Sequence, residues 1–429
     1  MMFDSDVALL GTGVAPLVAA NHLLIQGKSV LLLNPDWDFF LEDSELSLDP
    51  MLLEMPSPEK IRQSSPESAL KQLRPDFPGA IELWSPEMEV GKEGFHDTSA
   101  PHVRKRSRLW VSSADKNKLW NWEDLEDFYV ETSDAGLDPQ IAEGPPAVKR
   151  FPGFSFNTGN FRSLSLPKIC DVDLSRYRNG LLEYIRERLG PEKTVCAVNQ
   201  LEYMPDGIRF YANGSPHTAR LKDGMLVFWT PRLSSWILNQ TRKMEMPPSH
   251  IPRIPQGIRY WEQWSINSRE ASDPGVIGMF GDMAVWSDFE GAPSFATRTL
   301  KEKNLRNPKL PCLTVLRTGP LRPSNDIQLQ QAGLSSNSWA SADSFAALSN
   351  LCHGFLRWDR FSVRNLRVRA LFEWEKSESD IRAELGTQSD NSKQPWELFK
   401  GNPRTWIVPG SDGPLIDVVR TARAACGYL

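Results

Sequence analysis

The chain is poor in cysteine. Cys170, Cys196, Cys312, Cys352 and Cys426 are the five present, they lie far apart, and no two have CxxC spacing. That argues against a zinc site and against a disulfide framework, and it fits a reducing compartment. No basic segment leads into an apolar run near the start, and no stretch approaches the ~20 apolar residues of a spanning helix. The expectation is a cytoplasmic protein with no signal peptide and no membrane span. Charge of one sign is not in excess either: the formal net charge is −5 and the charged residues are dispersed. No nucleic-acid partner and no anionic membrane surface is implied.

Histidine is sparse and isolated at His22, His96, His102, His217, His250 and His353, so no metal site is expected. The sequence contains no GxSxG elbow, no HExxH, no GxxxxGK[ST] and no EF-hand loop. Asp282 and Asp288 are carboxylates in a Trp-rich stretch and could act as bases, but no residue is singled out as catalytic. Tryptophan, at 15, and proline, at 33, are abundant. Together they point to irregular, aromatic-lined structure. A chain of 429 residues predicts two or three domains, at ~150 residues each.

One stretch organises the rest. Val7-Ala8-Leu9-Leu10 is a short uncharged apolar run, suited to a strand buried on both faces. Gly11-Thr12-Gly13-Val14-Ala15-Pro16 follows. Leu17, Val18, Ala19, Ala20, Leu23 and Leu24 fit one crowded helix closed by Gly27, and Ser29 to Leu33 is a second buried strand ending at Asn34. Strand, glycine turn, helix and strand form the unit that binds a dinucleotide. Gly11 allows the tight reversal. Gly13 has no Cβ, so a pyrophosphate can approach the backbone, where the N–H groups and dipole of the helix start stabilise its charge.

Val7 to Asn34 resembles the N-terminus of FAD-binding proteins of the amine oxidase and phytoene desaturase type. The Rab GDP-dissociation inhibitors share that fold, and Leu10-Gly11-Thr12-Gly13 with Gly27-Lys28 is similar to their opening. The third glycine of the fingerprint is here Pro16, and the acidic residue that ends the second strand is here Asn34. Pro35 to Glu42 reads PDWDFFLE, without the arginine and paired glycines that follow in the amine oxidase type. Proline is tolerated in the first turn of a helix, and an amide accepts a hydrogen bond more weakly than a carboxylate.

Further along, residues 35–60 read as an acidic loop with a short helix, and 61–160 show no clear period. Arg104 to Arg108 reads as a solvated loop before a strand or as a phosphate-binding patch. Trp122 to Phe128 starts an acidic helix whose aromatics fill core. Residues 145–170 read as a connection. Leu174 to Leu189 has helical spacing and is stopped by Gly190-Pro191. Val195 to Val198 is a short strand, and Asp206-Gly207 and Asn213-Gly214 are turns of a meander leading to Met225 to Pro231. Arg259 to Ile266, Val276 to Phe280, Met283 to Trp286 and Cys312 to Leu316 read as strands. Ala342 to Phe355 and Asn365 to Lys376 read as helices. Thr405 to Val408 is a strand, Ser411-Asp412-Gly413 a turn, and Pro414 to Cys426 a helix in which Ala422, Ala424 and Ala425 permit tight packing.

The resemblance implies a Rossmann-type FAD/NAD(P)-binding domain, α/β and three-layered with a parallel central sheet, built from 1–50, 165–238 and 395–429. An α+β substrate or partner domain of 51–164 and 239–394 would be inserted into it. It implies non-covalent FAD held by Gly11, Thr12, Gly13, Val14 and Asn34. Val198 would touch the adenine through its backbone, and Gly410 and Asp412 would reach the ribityl or phosphate part. Two functions fit. One is an FAD-dependent oxidoreductase taking hydride from an amine or apolar small molecule. The other is a non-catalytic binding protein on the same fold, with a protein or lipid partner.

Overall fold

The computed structural model describes residues 2–11, 13–35, 103–112, 122–134, 136–143, 162–172, 174–189, 193–212, 214–228, 257–268, 276–280, 283–287, 312–318, 322–323, 342–356, 358–373, 395–399, 403–408 and 415–429. Two sheets carry the architecture.

The first sheet grows from the apolar runs near the start. β1 (Met2–Leu10) lies parallel to β2 (Val30–Pro35), with Val7 opposite Val30 and Leu10 opposite Leu33. Val7 to Leu9 and Val30 to Leu33 have no exposed surface. Helix α1 (Val14–Ile25) forms the crossover between them. A strand covered on both faces needs no polar alternation, and these runs have none.

β1 also pairs in parallel with β8 (Ser215–Phe228), and β8 with β16 (Thr405–Val408). On the other side β2 pairs in parallel with β6 (Thr194–Met204). The parallel order is therefore β6–β2–β1–β8–β16, with β15 (Trp396–Phe399) added antiparallel at the edge. β7 (Gly207–Ala212) joins β6 to β8 as an antiparallel meander. Gly207 is obligatory there, because a Cβ would lie 1.9 Å from the Ala219 carbonyl oxygen.

Three helices pack on this sheet's core. They are α1, α3 (Leu174–Leu189) and α5 (Leu415–Ala425), and α1 touches both of the others. Ala422 and Ala425 are buried, whereas Ala424 is exposed; only two of the three alanines serve packing. A short 3-10 turn, Cys426–Tyr428, ends the chain and places the Tyr428 ring 5.0 Å from Trp406 on β16.

The second sheet holds β3 (Val103–Ser112), β4 (Gln140–Glu143), β5 (Arg162–Val172), β9 (Gly257–Asn267), β10 (Val276–Phe280), β11 (Met283–Ser287), β12 (Cys312–Thr318), β13 (Arg322–Pro323) and β14 (Ser362–Glu373). It is antiparallel except where β10 runs parallel to β3. Helix α2 (Trp122–Asp134) packs on β3 and β5, with Phe128 edge-on to Trp110 at 5.2 Å.

Several local expectations are corrected. Asn365 to Lys376 is not a helix: residues 362–373 are β14, paired along the full length of β9. Its arginines, leucines and alanine are good helix formers, but the long partner and the alternation around Leu366, Val368 and Ala370 prevail. Arg104 to Arg108 is not a loop but lies inside β3, paired with β5. The stretch 145–170 is not all connection, since β5 begins at Arg162. Ala342 to Phe355 is helical in two pieces, α4 (Ala342–Ser349) and a π-helical turn, Asn350–Phe355. Residues 36–60, Asp282 and Asp288 lie outside the described residues.

One apolar core includes Val7, Leu9, Leu32, Phe228 and Val408 of the first sheet, residues of α1, α3 and α5, and Trp110, Leu164, Met279, Ala284, Trp286 and Leu316 of the second. The other face of the second sheet has its own core of Val111, Trp264, Ile266, Val285 and Val315, with Leu348, Leu351 and Cys352 of α4 and the π turn. The second sheet thus has an inner face, continuous with the first sheet's core, and an outer face under α4.

Candidate functional site

The carboxyl ends of parallel strands are where such sheets bind ligands. Here Leu33, Leu10, Val227 and Ile407 stand side by side in register. One residue further on come Asn34, Gly11, Phe228 and Val408, and α1 begins just beyond Gly11. Of the residues read from the sequence, the structure gathers Gly11, Gly13, Val14 and Asn34 at this edge. Val198 is opposite Pro35, next to Asn34, and is buried. Thr12, Gly410 and Asp412 lie outside the described residues.

Each glycine of the turn has its own duty. Gly13 is the N-cap of α1 with φ 78° and ψ −155°, a conformation that only glycine adopts without strain. Gly11 does not have a positive φ. Its lack of a side chain makes room for a neighbour: a Cβ there would lie 2.8 Å from the Cβ of Phe228. The Gly11 N–H donates to the Leu33 carbonyl at 3.2 Å, so it serves the sheet.

Within its own first turn the start of α1 offers positive partial charge with no side chain to answer it. No side chain hydrogen-bonds the N-cap, and the first turn holds no acidic residue. Gly13 and Val14 are half-buried, while Ala15 and Pro16 are buried. Pro16 has no N–H, so the donors of this turn are the amides of Gly13, Val14 and Ala15. A pyrophosphate fits such an arrangement. The residues present therefore suit the diphosphate of a dinucleotide, with one amide fewer than an all-donor turn would supply.

Asn34 is half-buried at the end of β2. The pairing of β2 with β6 is irregular between Leu33 and Pro35, and that of β6 with β7 is irregular between Val198 and Gln200. Two bulges thus flank the position that the resemblance gives to adenosine. Bulges of this kind re-aim side chains next to sites.

A separate polar cluster holds the opposite end of these strands. The Asp6 carboxylate accepts the Ser29 N–H at 2.7 Å and lies 3.1 Å from Lys222 Nζ, Lys28 Nζ is 2.6 Å from Asp223, and Lys193 Nζ donates to Ser29 Oγ at 2.8 Å. The Ser29 N–H, with help from Lys222 and Lys28 and against partial desolvation, holds the Asp6 carboxyl below its ordinary value. This cluster fixes the entry to β2 and is remote from the carboxyl edge. The Cys352 and Cys426 thiols are pushed up to about 12 by burial. They are packing groups rather than nucleophiles. Among the described residues no group of His, Cys, Asp and Glu could hold a metal ion.

Sequence reading missed Phe228 as the partner of Gly11. The signal available was a bulky residue ending a strand next to a glycine turn, but Gly11 and Phe228 are about two hundred residues apart in the chain, so the neighbour relation of β1 and β8 is not local.

No protein-family model and no curated protein matches the chain. Solved structures do. NikD in its open form, an unusual amino acid oxidase essential for nikkomycin biosynthesis, is similar with a TM-score of 0.58 at 12% identity, over 99% of this chain and 94% of that one. L-α-glycerophosphate oxidase from Mycoplasma pneumoniae, with FAD bound, gives 0.56 at 11%, over 99% and 95%. Glycine oxidase from Geobacillus kaustophilus gives 0.54 at 11%, over 100% and 94%. The chain has the fold of the FAD-dependent amine and amino acid oxidases. No helix among the described residues is long and apolar enough to cross a membrane.

Proposed function

We propose that the chain is a cytoplasmic FAD-dependent oxidoreductase that takes hydride from a small amine or another apolar molecule. The observation that carries this reading is the α1 start: an N-cap glycine with positive φ, no capping side chain and no acid in the first turn, set at the carboxyl edge of a parallel sheet. When bound, the flavin supplies the redox chemistry, and the protein orients it and excludes water. Gly13, Val14 and Ala15 present amides to the diphosphate. Gly11 and Thr12 border the phosphates, Asn34 accepts a ribose hydroxyl, and the Val198 backbone borders the adenine. Gly410 and Asp412 serve the far end of the cofactor. The binding domain takes 1–50, 165–238 and 395–429, and the remainder forms the substrate domain. β5 runs through position 165 and pairs with β3 and β4 of the second sheet.

A second reading is favoured by Pro16 and Asn34, which remove a donor and a charge from the site. On that reading the chain is a non-catalytic binding protein that holds a protein or lipid partner. Anaerobic mixing of FAD-loaded protein with a panel of primary and secondary amines separates the two. Bleaching of the flavin band by at least one of them supports the oxidoreductase. A loaded protein whose band no amine and no amino acid bleaches supports the second reading.

A further inference from the structure

β14 sorts its residues by face. Val363, Leu366, Val368, Ala370 and Phe372 are register partners of Ile266, Trp264, Glu262, Tyr260 and Ile258 on β9. Ile266 and Trp264 belong to the outer core, and Val363 packs against it. The alternate positions, opposite Ser265, Gln263 and Trp261, are Arg364, Arg367 and Arg369. They belong to the inner face, because Gln263 is opposite Leu316 of the core shared with the first sheet. A bulge makes this row continuous. In a regular strand Arg364 and Arg367 would fall on opposite faces. The register shift between Arg364 and Leu366 takes up the extra residue, Asn365, and keeps them on one.

Along such a row like charges recur every ~7 Å and repel. No acid answers them across the face. The inner positions of β9 beside them are Trp261, Gln263 and Ser265, and those of β12 are Thr318, Leu316 and Thr314. Glu262 is on the outer face with Arg317. The row's own carboxylate, Glu373, stands at the far end of the strand, opposite Gly257. At the near end Ser362 is exposed and Ser265 half-buried, so the row opens to solvent there. Charge on an outlying strand discourages strand addition, but that purpose does not require three arginines on a common face.

We infer that this row is an anion subsite, and that its ligand is a small molecule with two negative charges close together, as in a phosphate monoester or a dicarboxylate. Arginine suits both, through paired hydrogen bonds to planar carboxylate or to phosphate, and a dianion can answer more than one arginine at once. On the oxidoreductase reading this narrows the substrate to an amine that also carries such a group. The binding itself does not depend on that reading.

The test follows thermal unfolding of the full-length protein, incubated with FAD, in inorganic phosphate, succinate or acetate at one ionic strength held with chloride. A ligand that binds the folded chain raises the midpoint by an amount its affinity sets. Phosphate or succinate should raise it and acetate should not, and the stronger of the two dianions names the class. Arg367→Gln and Arg369→Gln should each weaken that dianion by about tenfold, the loss of one charge-assisted contact. Arg209→Gln, on β7 of the first sheet, should stay within about twofold of the parent. The inference is overturned if neither dianion shifts the parent, if acetate shifts it equally, if both β14 variants bind like the parent, or if Arg209→Gln loses as much as they do. A protein that binds the dianion in this way but takes up no FAD keeps this inference and overturns the oxidoreductase reading.

Discussion

Gly11 and Phe228 compete for one space. A methyl group on Gly11 would sit 2.8 Å from the Phe228 Cβ, well inside contact distance, and Phe228 is fully buried beneath the helices. The first glycine of the motif is therefore required by the sheet's own packing, whatever lies beyond it. Gly11→Ala should destabilise the protein by ~1–3 kcal/mol through overpacking. Phe228→Ala should cost ~3–5 kcal/mol on its own. In the double variant the alanine at 11 enters vacated space, so the two effects should couple by ~1 kcal/mol or more. Denaturation of the four proteins measures this, and strict additivity would remove Phe228 from the explanation.

Gly13 is constrained by its backbone. With φ at 78° and ψ at −155°, Gly13→Ala should cost ~1–3 kcal/mol of stability. The loss should already be present without FAD, because it comes from the backbone. Loss of flavin in such a variant would therefore not by itself report on a phosphate.

Val14→Pro is the cleaner probe. Val14 is the first residue of α1, where proline is well accommodated but provides no N–H. Stability should change little, while FAD affinity should fall roughly tenfold through loss of one amide to a phosphate. Fluorescence titration of the stripped protein reads it, and equal affinities would place the diphosphate elsewhere.

Asn34→Asp restores a charged acceptor at the end of β2. A hydrogen bond to a charged group is stronger than a neutral one by ~1 kcal/mol, so FAD should bind about fivefold more tightly. Weaker binding would mean that Asn34 does not face the ribose.

Acid stability should depend on Asp6. Its folded-state pKa is lowered from 3.8, so its contribution is present above that value and is lost as the pH falls through the lower, folded value. Asp6→Asn should flatten the pH dependence of stability in that acid window and leave it unchanged near neutrality. Urea midpoints across the range would show it.

The sequence made the first thirty-odd residues legible because their physics is local. Two uncharged runs, a glycine turn and a crowded helix leave one compact solution, and Val7 pairs with Val30 as that solution demands. The helix at Leu174 and the hydrophobic strand at Met225 were readable for the same reason. β14 was not, because its residues favour a helix and only the partner strand a hundred residues earlier decides otherwise. The faces of β9 were equally hidden: Gln263 and Ser265 alternate with Glu262 and Trp264 along one strand, and which pair faces the shared core is set by the second sheet as a whole. Composition could mark the insert as aromatic-rich but could not assign its faces.

The central claim is that a flavin dinucleotide lies against the amides at the start of α1. The most direct measurement is the visible spectrum of the purified protein, before and after incubation with excess FAD and removal of the unbound fraction. The account predicts flavin absorption near ~450 nm at about one FAD per chain, released intact on heating. A protein that is colourless as isolated and remains colourless after incubation would contradict it.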